Sequence, residues 1–351
     1  MSEKYLLDVI EGKKRAPFLL QVLALFSRLY AFAVRGRHLA YQRKWLPSFP
    51  AAVPTISIGN IVVGGTGKTP LVQMLATALK EEGKIAILTR GFRSKAEKQK
   101  DPLCIDQAHL VPAEICGDEP LFLAQTTSAS IWINPNRILS AKMAVEDGAV
   151  CLILDDGLQH RRLRRDVEII AVDANDPFSR HRYLPYGLLR DMPERLQEAD
   201  LIVANHTRDQ DHYEEVKKEL SAYTQAPIVA MQHELVESIP LKGQRVGAFC
   251  GIGKPQYFFN ALKQAGAEVV VANALLDHQS FSEEKLRAFV AECREKGAER
   301  IVCTEKDWVK LPSKEMQLPI QPVAMHLKII AGKQYWDSAI EKIKQKIRVS
   351  R

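Results

Sequence analysis

The sequence predicts an α/β protein whose first large unit is a mostly parallel sheet, on three observations. A glycine-rich loop, "SIGNIVVGGTGKTP" (Ser57 to Pro70), joins a short β-branched stretch to a helical one. A second hydrophobic stretch, "AVCLILDDGLQH" (Ala149 to His160), ends in two adjacent carboxylates. From about Glu168 onward, strand-like runs such as "EIIAVDA", "ADLIVANH", "RVGAFCGIG" and "ERIVCTEKD" alternate with helical ones such as Glu283 to Lys296. That alternation is the pattern of strands joined by crossover helices. At 351 residues the chain is long enough for two domains, each burying its own core.

The first element is apolar and flanked by charge. Lys13, Lys14 and Arg15 precede "APFLLQVLALFSRLYAFAV", and Arg35, Arg37, Arg43 and Lys44 follow it. Lys14, Gln21, Arg28 and Arg35 recur every seven residues, which stacks them on one narrow stripe of a helix. Helical rise makes the run about 28 Å long, close to a bilayer core, but Arg28 in its middle argues against a span. The favoured reading is a helix lying in a membrane interface; the alternative is a helix packed on the protein's own core. Arg28 also argues against a secretory signal ending at Ala31-Phe32-Ala33.

The loop is read from its context. "TISI" is a buried-strand pattern, and "TPLVQMLATALKEEG" repeats apolar residues at Leu71, Met74, Leu75, Ala78 and Leu79 before stopping at Gly83. A Walker A loop has glycine six positions before its lysine; here that position is Val62, and Gly64-Gly65 lies inside the loop instead. Val62, Val63, Gly64, Gly65, Thr66, Gly67, Lys68 and Thr69 form the expected ATP cradle. Backbone N–H groups wrap phosphates at a helix N-terminus, the lysine reaches the β- and γ-phosphates, and the threonine binds Mg²⁺. Asp155 and Asp156 have the form of a Walker B end, whose aspartate holds Mg²⁺. Together these predict a P-loop NTPase-like parallel sheet domain over 46–167 and a second, smaller α/β domain over 168–330. An N-terminal membrane-interface helix lies within 1–45, and a C-terminal helix over 331–351 packs back on the first domain.

Other signals are individually bland. "CGDEP" places Asp118 and Glu119 where helix capping explains them, and Asp277-His278 follows a strand without a partner fixed by spacing. Arg161 to Asp166, "RRLRRD", reads as a solvated charge run or a phosphate contact. "GIGKPQ" is too short to argue a dinucleotide turn. Six scattered cysteines contain no C-x-x-C pair, so neither a disulfide framework nor a zinc site is indicated. Lys and Arg number 49 against 42 Asp and Glu, a net charge of +7 that favours an anionic partner. The chain has none of the aromatic-basic interleaving of nucleic-acid binders, and no nucleic-acid partner is expected.

Taken together, the residues resemble the tetraacyldisaccharide 4'-kinase family, the lipid A kinases of Gram-negative bacteria, over most of the chain. The resemblance rests on the N-terminal segment, "SIGNIVVGGTGKTP" with the family's own missing first glycine, "LTRGF", "GDEP", "LDDGLQHRRLRRD", "LPYGLLRD" and "DHQSF". It implies transfer of the γ-phosphate of ATP to the 4'-hydroxyl of a tetraacylated glucosamine disaccharide 1-phosphate at the cytoplasmic face of the inner membrane. It also implies Asp118 as base assisted by His278, with Lys68, Thr69 and Asp155 holding ATP and Mg²⁺. Arg90, Arg137, Gln159 and Arg190 are implied phosphate or substrate contacts. Phe92 departs from relatives that carry tyrosine after "RG". A carboxylate near its usual pKa of about 3.9 is a weak base at neutral pH, so pairing with the histidine or late proton transfer is needed.

Two rivals fit less well. A membrane-associated P-loop ATPase of the partitioning or arsenite-pump type carries a lysine just before the glycine pair, where this chain has Val63. A GTPase needs an N/T-K-x-D motif, and "TEKD" (Thr304 to Asp307) sets its lysine one place late.

Overall fold

A computed structural model describes residues 5, 9–10, 14–236, 240–275, 281–311 and 316–351. The first long element is helix α1 (Pro17–Gln42), opened by a proline that needs no N–H partner in the first turn. Its buried positions Leu23, Ser27 and Val34 form one seam. Along that seam the Ser27 hydroxyl donates to the Tyr183 carbonyl (2.8 Å) and the Tyr30 hydroxyl to the Arg190 carbonyl (3.0 Å). At about 100° per residue the exposed Phe18, Leu25, Leu29 and Phe32 fall on the opposite face. Gln21, Arg28 and Arg35, also exposed, border that face, so the helix is docked along one edge and apolar along the other.

A nine-stranded sheet follows. Its strands are β1 (Thr55–Gly59), β2 (Ile85–Thr89), β3 (Leu103–Ile105), β4 (Ser130–Ile133), β5 (Cys151–Asp155), β6 (Val167–Asp173), β7 (Leu201–Asn205), β8 (Ile228–Leu235) and, far along the chain, β13 (Met325–Ala331). In space the order is β13-β8-β7-β6-β1-β5-β2-β4-β3. All neighbours are parallel except β3 with β4 and β13 with β8, the two edge pairs. Continuous apolar runs such as "TISI" and "CLILD" form these strands because both faces of a parallel sheet are covered. Helices α2 (Lys68–Leu79) and α10 (Lys333–Val349) cover one face, where Leu71, Leu75, Leu79, Ile343 and Ile347 meet Ile56, Ile58, Ile87 and Ile153. Each such buried side chain contributes roughly 1.5–3 kcal/mol. On the other face, α5 (Arg137–Glu146) packs through Ala141 and Ala144, and α6 (Gln210–Leu220) through Tyr213, Val216 and Leu220.

The second unit is a four-stranded, wholly parallel sheet, β10-β9-β11-β12. Its strands are β9 (Arg245–Cys250), β10 (Glu268–Ala274), β11 (Arg300–Thr304) and β12 (Ile320–Val323). Helix α7 (Pro255–Gln264) covers one face with Phe258, Phe259 and Leu262, and α8 (Glu283–Glu295) the other with Leu286, Phe289 and Val290.

This arrangement corrects the expected division at 167/168, which falls inside β6, a strand paired with β1. Residues 168–235 extend the first sheet, and β13 and α10 return to it, so the second unit spans only 245–323. The physical reason is that hydrophobic period identifies a strand but not its neighbour: β6 reads like any buried strand, and only its register, Ile56 beside Val167, places it against β1.

Candidate active site

The C-terminal ends of β1, β5, β6, β7 and β8 open into a cleft of about 350 Å³, closed on its far side by the second unit. Ligands bind at this end of an open parallel sheet. Val63 to Pro70, Phe92, Glu119, Asp155, Asp156 and Arg190 line it from the first unit, and Gly253, Lys254, Tyr257, Thr304 and Lys306 are among those lining it from the second.

The loop after β1 is held from several sides. The Asn60 amide donates to the Thr66 hydroxyl (2.7 Å), and the Asn205 amide donates to the Thr66 carbonyl (2.6 Å). Gly67 has φ +75, and a Cβ there would come within 2.6 Å of Asn205 Nδ2. Across the cleft, a Cβ on Gly253 would come within 2.8 Å of the Gly65 nitrogen, so the two backbones meet where Gly253 cannot carry a side chain. No side chain caps α2, whose N-terminus faces the cleft with its N–H groups and partial positive charge. Gly67→Ala is expected to destabilise the protein by about 1–2 kcal/mol, the left-handed penalty. It should also shrink the melting-temperature gain on adding ATP. An undiminished gain would separate the glycine from nucleotide binding.

Val62 stands where a glycine was missed, and its side chain is buried with Ile61, Leu158 and Leu189 rather than lining the cleft. It bridges Leu189, and the neighbouring Val63 N–H donates to the Leu188 carbonyl (2.7 Å). A β-branched residue suits this local pairing. The loop is thereby tied to the segment carrying Arg190.

Charge is concentrated at the ends of β1 and β5. Lys68 Nζ lies 3.4 Å from Asp156 Oδ1, and Arg190 pairs with both oxygens of Asp156 and with Asn60 Oδ1. Asp156 holds a positive φ of 55°, the kind of backbone strain that collects at functional sites. Burial works against its charge, yet Lys68 and Arg190 hold its carboxyl well below the usual carboxylate range. Asp155 behaves oppositely. Burial, then the like charges of Glu119 and Asp156, push it up to about 6, against Lys68 and the Thr89 hydroxyl, which donates to it at 3.0 Å. The Thr69 hydroxyl donates to Glu119 Oε1 at 3.4 Å.

Among the described residues no cage of three His, Cys, Asp or Glu side chains forms. Mg²⁺ in phosphoryl transfer uses one or two carboxylates with phosphates and waters, so Thr69 and Asp155, with Glu119 beside them, suit it. Asp155, crowded by like charge, gains from a cation; Asp156 is already engaged by Lys68 and Arg190.

The remaining expected residues divide. After the single-turn α3 (Ala113–Cys116), Asp118 opens α4 (Asp118–Thr126) beside Glu119, with Lys310 Nζ 2.7 Å from its Oδ2. Gln159 donates to the Asn60 carbonyl (3.0 Å) and to Asp191 (3.1 Å), supporting the loop from behind. Arg137 is buried, donates to the Asn134 carbonyl (2.6 Å), and is lowered to about 10 by burial, with Asp155 and Asp156 opposing. Arg90 is exposed and paired with Glu97 at 2.7 Å. His278 lies outside the described residues.

Sequence reasoning missed Asn60, Asn205 and Lys306, and a second cluster along the same cleft. There His206 stacks on Tyr257 with centroids 3.8 Å apart and places Nδ1 3.0 Å from Asp173, which also pairs with Lys254. Nothing in their local sequence marks them, because they are brought together from the ends of separate strands or just beyond them, among them β6, β7 and β9.

The family profile of tetraacyldisaccharide-1-P 4'-kinase matches residues 19–345, nearly the whole chain. The chain belongs to that family. It is thus an ATP-dependent kinase of lipid A biosynthesis, and the partitioning-type ATPase reading is not favoured. A family protein of Chlamydia trachomatis, a tetraacyldisaccharide 4'-kinase, is 37% identical over 342 residues, covering 93% of this chain and 91% of that one. A Vibrio vulnificus family protein of the same name is 35% identical, covering 81% of each. The crystal structure of LpxK from Aquifex aeolicus, described as an "apo" form in complex with ATP, is similar with a TM-score of 0.71 at 29% identity. It covers 93% of this chain, and 99% of that chain is matched. Family membership extends across both units, so the second unit is part of the family fold rather than an appended module.

Proposed function

We propose that the chain transfers the γ-phosphate of ATP to the 4'-hydroxyl of a tetraacylated glucosamine disaccharide 1-phosphate, at the cytoplasmic face of the bacterial inner membrane and with Mg²⁺. One observation carries the residue roles: Lys68, Thr69, Glu119, Asp155, Asp156 and Arg190 converge on a single cleft at the strand ends. Loop N–H groups and Lys68 cradle the phosphates, and Arg190 adds charge beside them. Asp118 takes the proton of the 4'-hydroxyl as its oxygen bonds to the γ-phosphorus and the bond to ADP breaks. Thr69 and Asp155 would hold Mg²⁺, which would supply charge neutralisation on the transferred group. Phosphoryl transfer needs positioning and charge neutralisation more than covalent help, and the cleft offers both. The direct test is transfer of labelled γ-phosphate to the purified acylated disaccharide. Label released only as inorganic phosphate would favour an ATPase instead.

Membrane attachment rests on the free face of α1. Phe18 and Phe32 are each 78% exposed, and Leu25 and Leu29 are also exposed, while Ser27 and Tyr30 dock the other edge. Replacing Leu29 and Phe32 together by glutamate leaves the docked edge intact. It is expected to abolish flotation with vesicles containing anionic phospholipid and to lower activity on the acylated acceptor at unchanged melting temperature. Flotation of the parent protein should weaken with salt, since each basic residue near an anionic surface contributes about 1 kcal/mol. Equal flotation of both proteins would move the contact elsewhere.

A further inference from the structure

The second unit sends two lysines across the cleft onto the acidic pair that opens α4. Both come from α9 (Glu305–Trp308) and the residues just after it, immediately following β11. Lys306 Nζ lies 3.2 Å from Glu119 Oε1, the same oxygen that accepts the Thr69 hydroxyl. Lys310, one helical turn later and with a side chain only 6% exposed, lies 2.7 Å from Asp118 Oδ2.

The platform carrying these lysines is tied down by buried hydrogen bonds. The Thr304 hydroxyl donates to Asp307 Oδ2 (2.6 Å) and accepts the Asp307 N–H (3.2 Å). Asp307 is almost fully buried, and its Oδ2 also accepts the Gly251 N–H (2.9 Å). Gly251 begins the turn whose Gly253 abuts Gly65 of the phosphate loop. A buried ammonium needs a partner to offset its lost hydration, and the nearer carboxylate of Lys310 is Asp118 on the other unit at 2.7 Å, with Asp307 Oδ1 of its own unit at 4.0 Å. The contact therefore does more than join two surfaces: it fixes the orientation of two consecutive carboxylates next to Thr69.

We propose that Lys310 is a positioning residue for phosphoryl transfer, holding Asp118 toward the acceptor from the second unit, with Lys306 holding Glu119 against Thr69 in the same way. This rests on Asp118 acting as base. Through Lys310 the second unit fixes a carboxylate whose efficiency as a proton acceptor depends on geometry.

The test is a double-mutant cycle on the full-length protein, using ATP and the acylated disaccharide. Lys310→Met is expected to lower kcat by about ten- to a hundredfold with KM for ATP nearly unchanged, and Lys310→Arg to restore most of the loss. In an Asp118→Asn background, Lys310→Met should cost little more, because a positioning residue has nothing left to position. A purely structural lysine would cost the same factor in both backgrounds, and that additivity would overturn the proposal. So would wild-type kcat in Lys310→Met. Where Lys310→Met fails to fold, Lys310→Gln in the same cycle gives the same discrimination, melting curves being the control. Absence of transfer by the parent protein would instead overturn the substrate reading on which the proposal stands.

Discussion

Lys68→Ala is expected to reduce phosphate transfer by about 10²- to 10³-fold, the loss typical of removing one preorganised electrostatic partner of the transition state. Lys68 opens α2 and lines the cleft, 3.4 Å from Asp156 and without a place in the hydrophobic core. The fold should therefore persist. The loop glycines and Thr66 are untouched, and Arg190 still pairs with Asp156 after the lysine is gone. Acid sensitivity is expected to change in a defined direction. Asp156 is held below its usual range, so its ionised form contributes stability that is present above about pH 4 and lost as pH falls through the lower folded value. Removing Lys68 raises that folded value and narrows the window, so the mutant should lose stability at a higher pH on acidification than the parent. Single-turnover transfer and melting across pH 3–7 check both expectations. A folded mutant with parental turnover would remove the loop lysine from the mechanism.

Asp118→Asn is expected to cut turnover by roughly 10²- to 10⁴-fold, the range for loss of a general base, while ATP-induced thermal stabilisation stays near that of the parent. The substitution keeps the size of the side chain. It replaces the carboxylate that faces Lys310 at 2.7 Å with a neutral amide, leaving Glu119, Thr69 and Lys68 in place around the nucleotide cleft. Loss of ATP stabilisation equal to the loss of turnover would make Asp118 a nucleotide-binding residue instead. Parental turnover would rule it out as base.

How much of this was legible beforehand follows from the range of each interaction. The loop, α2 and the paired carboxylates at the end of β5 are written in stretches of at most a dozen or so residues, where glycine placement, β-branching and helical period act locally. They were read correctly as strand, turn and helix. The exposed polar stripe of α1 was legible for the same reason, whereas its docked edge was not, because Ser27 and Tyr30 find their partners more than 150 residues away. Val62 looked like a defect in a phosphate loop; its bridge to Leu189 gives that position a packing duty no local pattern announces.

The sequence by itself determined the α/β class, the phosphate-loop type, the carboxylate pair and, through resemblance, the kinase family. These rest on chemistry repeated at short spacing, and short spacing survives without knowledge of the fold. The tertiary structure alone decided that β6 to β8 extend the first sheet, that β13 returns to its edge, and that the second unit is confined to 245–323. It also decided which charges meet. "TEKD" reads in sequence as a failed guanine motif, yet Lys306 of that motif reaches Glu119 across 187 residues of chain, and Lys310 reaches Asp118. Strand order and side-chain partners are settled by which surfaces exclude water together. That is a property of the whole packed chain, and hydrophobic period within any one segment carries no record of it.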